Sequence, residues 1–142
     1  MDKDRVKMNK LKTWTIVLNF FVIVGAGHGV ATVGIFGIWG FKELISGDFV
    51  INIMGDYEER LRTGGLISVV GQFILLISYL TKNLTRTTLT VSGCAVLFIA
   101  TYILTRDARE MNLEMFTLLC SVPYILTSLI LAFKEISLTL NR

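Results

Sequence analysis

The residues of this chain that could do chemistry are few, and most stand in apolar surroundings. The only histidine, His28, lies inside an uncharged run from Trp14 to Phe41. Gln72 lies in a second apolar run, and Cys120, Ser121 and Tyr124 flank the middle of a later one. A polar side chain in hydrocarbon is costly unless it finds a partner. These five are therefore expected to face inward and share one polar layer at the midplane, with a hydrogen bond between His28 and Gln72. Histidine changes charge near neutral pH, which makes His28 a candidate proton relay or gate. Apolar burial would instead hold it neutral, as a packing residue. No carboxylate falls inside the predicted spans to stabilise its charged form.

Enzyme chemistry finds no support. There is no H-E-x-x-H, no G-x-S-x-G and no P-loop. One histidine and two separated cysteines, Cys94 and Cys120, do not make an ordinary zinc site. The cysteines read as small packing residues rather than a disulfide. A nucleophile pair of His28 and Cys120 would lack an orienting acid. No catalytic residue, metal or cofactor is expected. The net charge of +3 is small and points to membrane topology rather than to nucleic acid.

Positioning this layer falls to membrane spans. Charged residues make up 18% of the chain, below the roughly 25% of soluble domains, and the shortage falls in blocks. A run of about 20 apolar residues crosses a bilayer as a helix. Four such spans are predicted, at about residues 13–41, 64–81, 87–105 and 115–133. Trp14 and Trp39 sit near the ends of the first, where indoles anchor at the headgroup level. Pro123 falls in the middle of the fourth and is expected to kink it.

The first span is rich in glycine. Gly25 and Gly29 form a G-x-x-x-G pair, and Gly27 with Ala31 a second small-x-x-x-small pair. On a helix these would let another backbone approach closely. The face would serve a homo-oligomer or a pore lining, or pack the chain's own helices. The run GAGHGVATVG is superficially similar to the glycine-rich helix of rotary ATP synthase c subunits. The size and four spans are similar to those of small multidrug resistance transporters. Both families use a membrane carboxylate that the predicted spans here lack, and neither likeness rests on a matched motif.

Residues 46–63 form the longest polar connection and enclose the apolar run FVINIM. This segment lies at the interface, dips back into the membrane, or covers the bundle. Asp56 with Glu59, and Asp107 with Glu110, fit capping boxes before the second and fourth spans. The N-terminal tail, the turn at 82–86 and the C-terminal tail carry nine of the Lys and Arg residues, the other two connections five. The positive-inside rule then puts both termini in the cytoplasm.

The expected fold is all-α, an integral membrane four-helix bundle running up-down-up-down. The expected function is a non-enzymatic oligomeric interaction or effector module. It would form a pore, perturb the membrane or anchor a partner, in the manner of holin-like or defence proteins by size and span count alone. Its partners would be membrane lipids and a second copy or a partner membrane protein, in a bacterial inner or plasma membrane. The alternative is a small ion or solute transporter or channel, with His28 and Gln72 lining the path.

Overall fold

The computed structural model describes residues 3–26, 29–109 and 112–140. Its elements are α1 (Lys3–Phe20), β1 (Ile23–Ala26), β2 (Gly29–Thr32), α2 (Val33–Ser46), α3 (Tyr57–Leu80), α4 (Asn83–Leu104) and α5 (Asn112–Leu140). Three of these, α3, α4 and α5, are long and apolar enough to cross a membrane. They carry the second, third and fourth spans of the sequence reading, each starting before the expected residue, and α5 also runs past the expected end. The described residues are thus largely helical, with five helices where four were expected.

The first predicted span is not one helix. An antiparallel hairpin, β1–β2, separates α1 from α2, with Ile23 opposite Thr32 and Ala26 opposite Gly29. Local chemistry accounts for the break. Val22, Ile23, Val24 and then Val30, Thr32 and Val33 are β-branched, and glycines stand between the two runs. Both residue classes disfavour a helix interior, and short β-branched runs parted by glycine favour a hairpin. Apolar length alone had carried the helix expectation. Gly25 and Gly29 accordingly form no helical G-x-x-x-G pair, because they stand on opposite strands. Ala31 pairs with Val24 across the hairpin, and Gly27 and His28 lie outside the described residues.

The broken segment occupies the fourth corner of the bundle. α1 packs beside α5, reaching the C-terminal ends of α3 and α5 through Lys12. β1 continues beside α5, and α2 packs along the N-terminal half of α3. At the junction the Val33 N–H donates to the Val22 carbonyl at 2.9 Å. Irregular backbone within an apolar bundle is tolerated where protein covers it. Val22, Val24 and Val33 are indeed buried.

Glycines elsewhere bring helices of this chain together. A Cβ added at Gly65 would stand 2.7 Å from the Gly37 nitrogen, so α2 and α3 touch backbone to backbone there. Gly71 and Gly93 play the same part between α3 and α4, each 3.2 Å from the other's carbonyl oxygen by the same measure. By contrast, a Cβ on exposed Gly29 would meet nothing within 4 Å. Gly65→Val is therefore expected to lower stability by about 2–3 kcal/mol, and Gly29→Leu by less than about 0.5 kcal/mol. Unfolding midpoints in detergent check both; equal effects would contradict the assignment.

The connection between α2 and α3 is pinned by Asn52. Its backbone N–H donates to Thr63 Oγ1 at 3.0 Å, and its side-chain oxygen accepts from the Gly55 N–H at 2.7 Å. Asp56 is the N-cap of α3 but makes no side-chain capping bond. Glu59 instead accepts from the Asn52 amide at 2.6 Å. The second expected capping box also does not form from Asp107, which turns to Arg60, while Glu110 lies outside the described residues.

Candidate functional site

The buried face of α5 is its polar face. Its seven buried residues are Glu114, Thr117, Ser121, Tyr124, Ser128, Leu131 and Glu135, and only Leu131 is apolar. Their spacing alternates between three and four residues, which keeps them on one stripe of a helix. The outer face carries exposed Phe116, Leu119, Val122, Leu126 and Phe133. A soluble helix would bury the second set and expose the first. This inside-out arrangement suits a helix surrounded by lipid on one side and by a polar bundle interior on the other.

The serine and threonine hydroxyls of the seam satisfy themselves locally. Thr117, Ser121 and Ser128 donate to carbonyls one turn earlier at 2.8–3.1 Å. A hydroxyl that donates in this way still has lone pairs to accept with. Thr117 uses this capacity, since its oxygen is 3.1 Å from the Tyr57 hydroxyl on α3. Pro123 lies inside α5, and helix continues on either side of it.

At the middle of the seam Gln72 donates to Asn19 Oδ1 at 2.8 Å, and both are buried. The Tyr124 hydroxyl donates to the Leu97 carbonyl at 3.4 Å. Tyr124 and Ser121, one turn apart, share the buried face of α5. The partner of Gln72 among the described residues is Asn19; the expected partner, His28, lies outside them. Cys120 is only part-buried and falls off the seam face. Cys94 is buried in the apolar core, and both thiols are free.

One end of the seam closes on Arg60. Its guanidinium donates to Glu114 Oε1 at 2.7 Å and to Asp107 Oδ2 at 2.8 Å. It also donates to the carbonyls of Gly55 at 3.0 Å and Ile103 at 3.2 Å. Glu114 accepts a further bond from the Asp107 N–H at 2.7 Å. Arg60 is 2% exposed and Glu114 is fully buried. One guanidinium, with its fork of donors, so ties α3, the connection before it, the end of α4 and the start of α5.

The other end closes on Glu135. Arg86 donates to Glu135 Oε1 at 2.7 Å, and Lys12 Nζ lies 3.7 Å from the same oxygen. Lys12 also donates to Ser78 Oγ at 2.8 Å and stands 5.7 Å from the Tyr79 ring centre. Two cations share one carboxylate, and Lys12 is fully buried. Burial pulls the Lys12 ammonium down to about 8; Glu135 opposes that shift and Arg86 adds to it.

Trp14 and Trp39 are both more than half exposed, one on α1 and one on α2, with Trp39 stacked on Phe36. Lys12, Arg60 and Glu135 did not stand out in the sequence, because each sits at the edge of an apolar run and reads as solvent-facing. The signal that could have found them is the three-four repeat of polar residues along 114–135. Asn19, the one amide inside the first apolar run before the glycines, was a signal of the same kind. Comparisons with family models, curated proteins and solved structures find no match for this chain.

Proposed function

We propose that this protein is a small membrane ion or solute transporter or channel, with the α5 seam as its path. The observation that supports this reading is the seam itself, polar throughout except at Leu131 and ending on a buried ion cluster at each end. Ionisable residues inside a membrane bundle are functional candidates by default. The hydroxyl and amide layer between the clusters offers acceptors and donors to a small ion or a proton. Leu131, fully buried between Ser128 and Glu135, closes the path in the conformation described. In this reading α1, the hairpin and α2 complete a fourth, broken pass of the kind that lines transport sites. Both termini are cytoplasmic by the distribution of Lys and Arg, and Trp14 and Trp39 mark the two interfaces. The reading needs no catalytic residue and no nucleic acid.

Liposomes loaded with a pH-sensitive dye test it. Protein-containing vesicles are expected to dissipate an imposed proton or potassium gradient faster than empty ones. Tyr124→Phe combined with Gln72→Leu, which together remove two buried hydrogen bonds, is expected to slow that flux about tenfold or more. Wild-type vesicles as tight as empty ones to protons, sodium, potassium and chloride would overturn the reading.

A second reading, an oligomeric or partner-anchoring effector, draws on a different feature. Val50, Ile51 and Met54 in the connection before α3 are each more than 70% exposed, and exposed apolar groups mark contact surfaces. A photocrosslinker at Ile51 that captures a second copy in intact membranes would favour it.

A further inference from the structure

The charges of this chain are sharply divided between the two ends of the bundle. Among the described residues, the end that holds the start of α1, the α3–α4 turn and the end of α5 carries eight Lys and Arg residues against Asp4 and Glu135. The opposite end carries five against seven carboxylates. Glu135 is already committed to Lys12 and Arg86, so the basic end has little acid left to neutralise its remaining cations.

A groove of about 260 Å³ opens at this end between α1 and α5, lined by Lys7, Met8, Lys134, Ser137 and Leu138. Met8 is buried and Leu138 part-buried, which makes an apolar floor, while Lys7, Lys134 and Ser137 are exposed. Two ammonium groups and a hydroxyl therefore rim a small apolar-floored cleft. Ile130 lies one turn below Lys134 on α5 and Leu126 one turn below that, both exposed. The basic rim thus continues into an apolar track on the outer surface of the bundle.

We infer that this groove binds an anionic phospholipid, its phosphate between Lys7 and Lys134 and an acyl chain along Ile130 and Leu126. Lysine binds phosphate as a point charge, and Ser137 supplies a hydroxyl donor. Basic pockets between membrane helices on the cytoplasmic side are the usual setting for such headgroups. A free phosphate would satisfy the rim but make no use of the track below it. The site does not depend on whether the seam conducts.

The test is lipid retention by purified protein, read by native mass spectrometry after titration with phosphatidylglycerol or phosphatidylcholine. The wild type is expected to retain phosphatidylglycerol selectively. The double variant Lys7→Gln/Lys134→Gln is expected to lose up to about thirtyfold of that preference. Lys10→Gln/Lys82→Gln removes the same charge from exposed positions at the same end, outside the groove, and is expected to lose less than about threefold. Equal losses in the two double variants would mean diffuse attraction and overturn the site. So would equal retention of the two lipids by the wild type, or displacement of the bound lipid by millimolar inorganic phosphate.

Discussion

Arg60→Met is expected to destabilise the protein by about 3–5 kcal/mol, the usual cost of removing one partner from a buried ion pair. Glu114 is fully buried and would keep only the Asp107 N–H as a partner. The carbonyls of Gly55 and Ile103 would each lose a donor. Glu114→Gln is expected to cost less, because the amide oxygen still accepts from the guanidinium. Asp107→Asn is expected to cost under about 1 kcal/mol, since that carboxylate is 42% exposed and solvent screens it. The double variant Arg60→Met/Glu114→Leu is expected to recover most of the loss, because an apolar pair can replace a buried ion pair. Denaturation in mixed detergent micelles gives these differences. An Arg60→Met variant within 1 kcal/mol of the wild type would show that the cluster is wet and contributes little.

The ranking says what the cluster is for. An isolated pair of this kind is weak evidence for stability, since desolvation offsets most of the attraction. Here the guanidinium meets four acceptors from four segments of the chain. It orients the ends of α3, α4 and α5 together, and α3 and α5 are joined more by these long polar side chains than by close backbone packing. At the middle of the bundle Gln72 and Asn19 continue the same kind of link.

How far the sequence revealed this depends on the residue. The three apolar helices were legible, because about 20 uncharged residues in a row leave few other structures. The start of α3 at Tyr57 was legible because Asp56 with Glu59 reads as a capping box, although Asp56 makes no side-chain capping bond and Glu59 turns to Asn52. The hairpin was missed because hydropathy does not distinguish Val and Gly from Leu and Ala, while helix propensity does. Gln72, Ser121 and Tyr124 were grouped by depth, since depth along a span is fixed by counting residues. Asn19, the partner of Gln72, was missed for a different reason. Counting along one continuous helix put His28 at the midplane. Once the hairpin is inserted, Asn19 at the end of α1 takes that level. The ion clusters were illegible for a third reason: a charge at the edge of an apolar run is compatible with solvent or with the bundle interior, and only the packed neighbours decide.

Lys12 and Glu135 make the case where that decision can be measured through pH. In water a lysine holds its proton to about pH 10.5; folded Lys12 releases it near pH 8. Between those values the unfolded chain binds a proton that the folded chain does not, so stability rises with pH across that window. Below pH 8 both states are charged and Lys12 contributes no slope. The gain from pH 8 to 10.5 is expected to be on the order of 2–3 kcal/mol, and Lys12→Met is expected to abolish it. Glu135→Gln leaves two cations, Lys12 and Arg86, facing each other with no carboxylate between them. It is expected to cost about 3–5 kcal/mol at pH 7 and to move the start of the rise below pH 8, because Glu135 is what holds the Lys12 proton against burial. Adding Lys12→Met to Glu135→Gln should recover part of the loss, since it removes the cation that burial penalises most. Stability measured from pH 6 to 10.5 for the four proteins separates these effects. A wild type whose stability is flat across that range, with Lys12→Met indistinguishable from it, would mean that Lys12 reaches water in the folded protein and that this end of the seam is open.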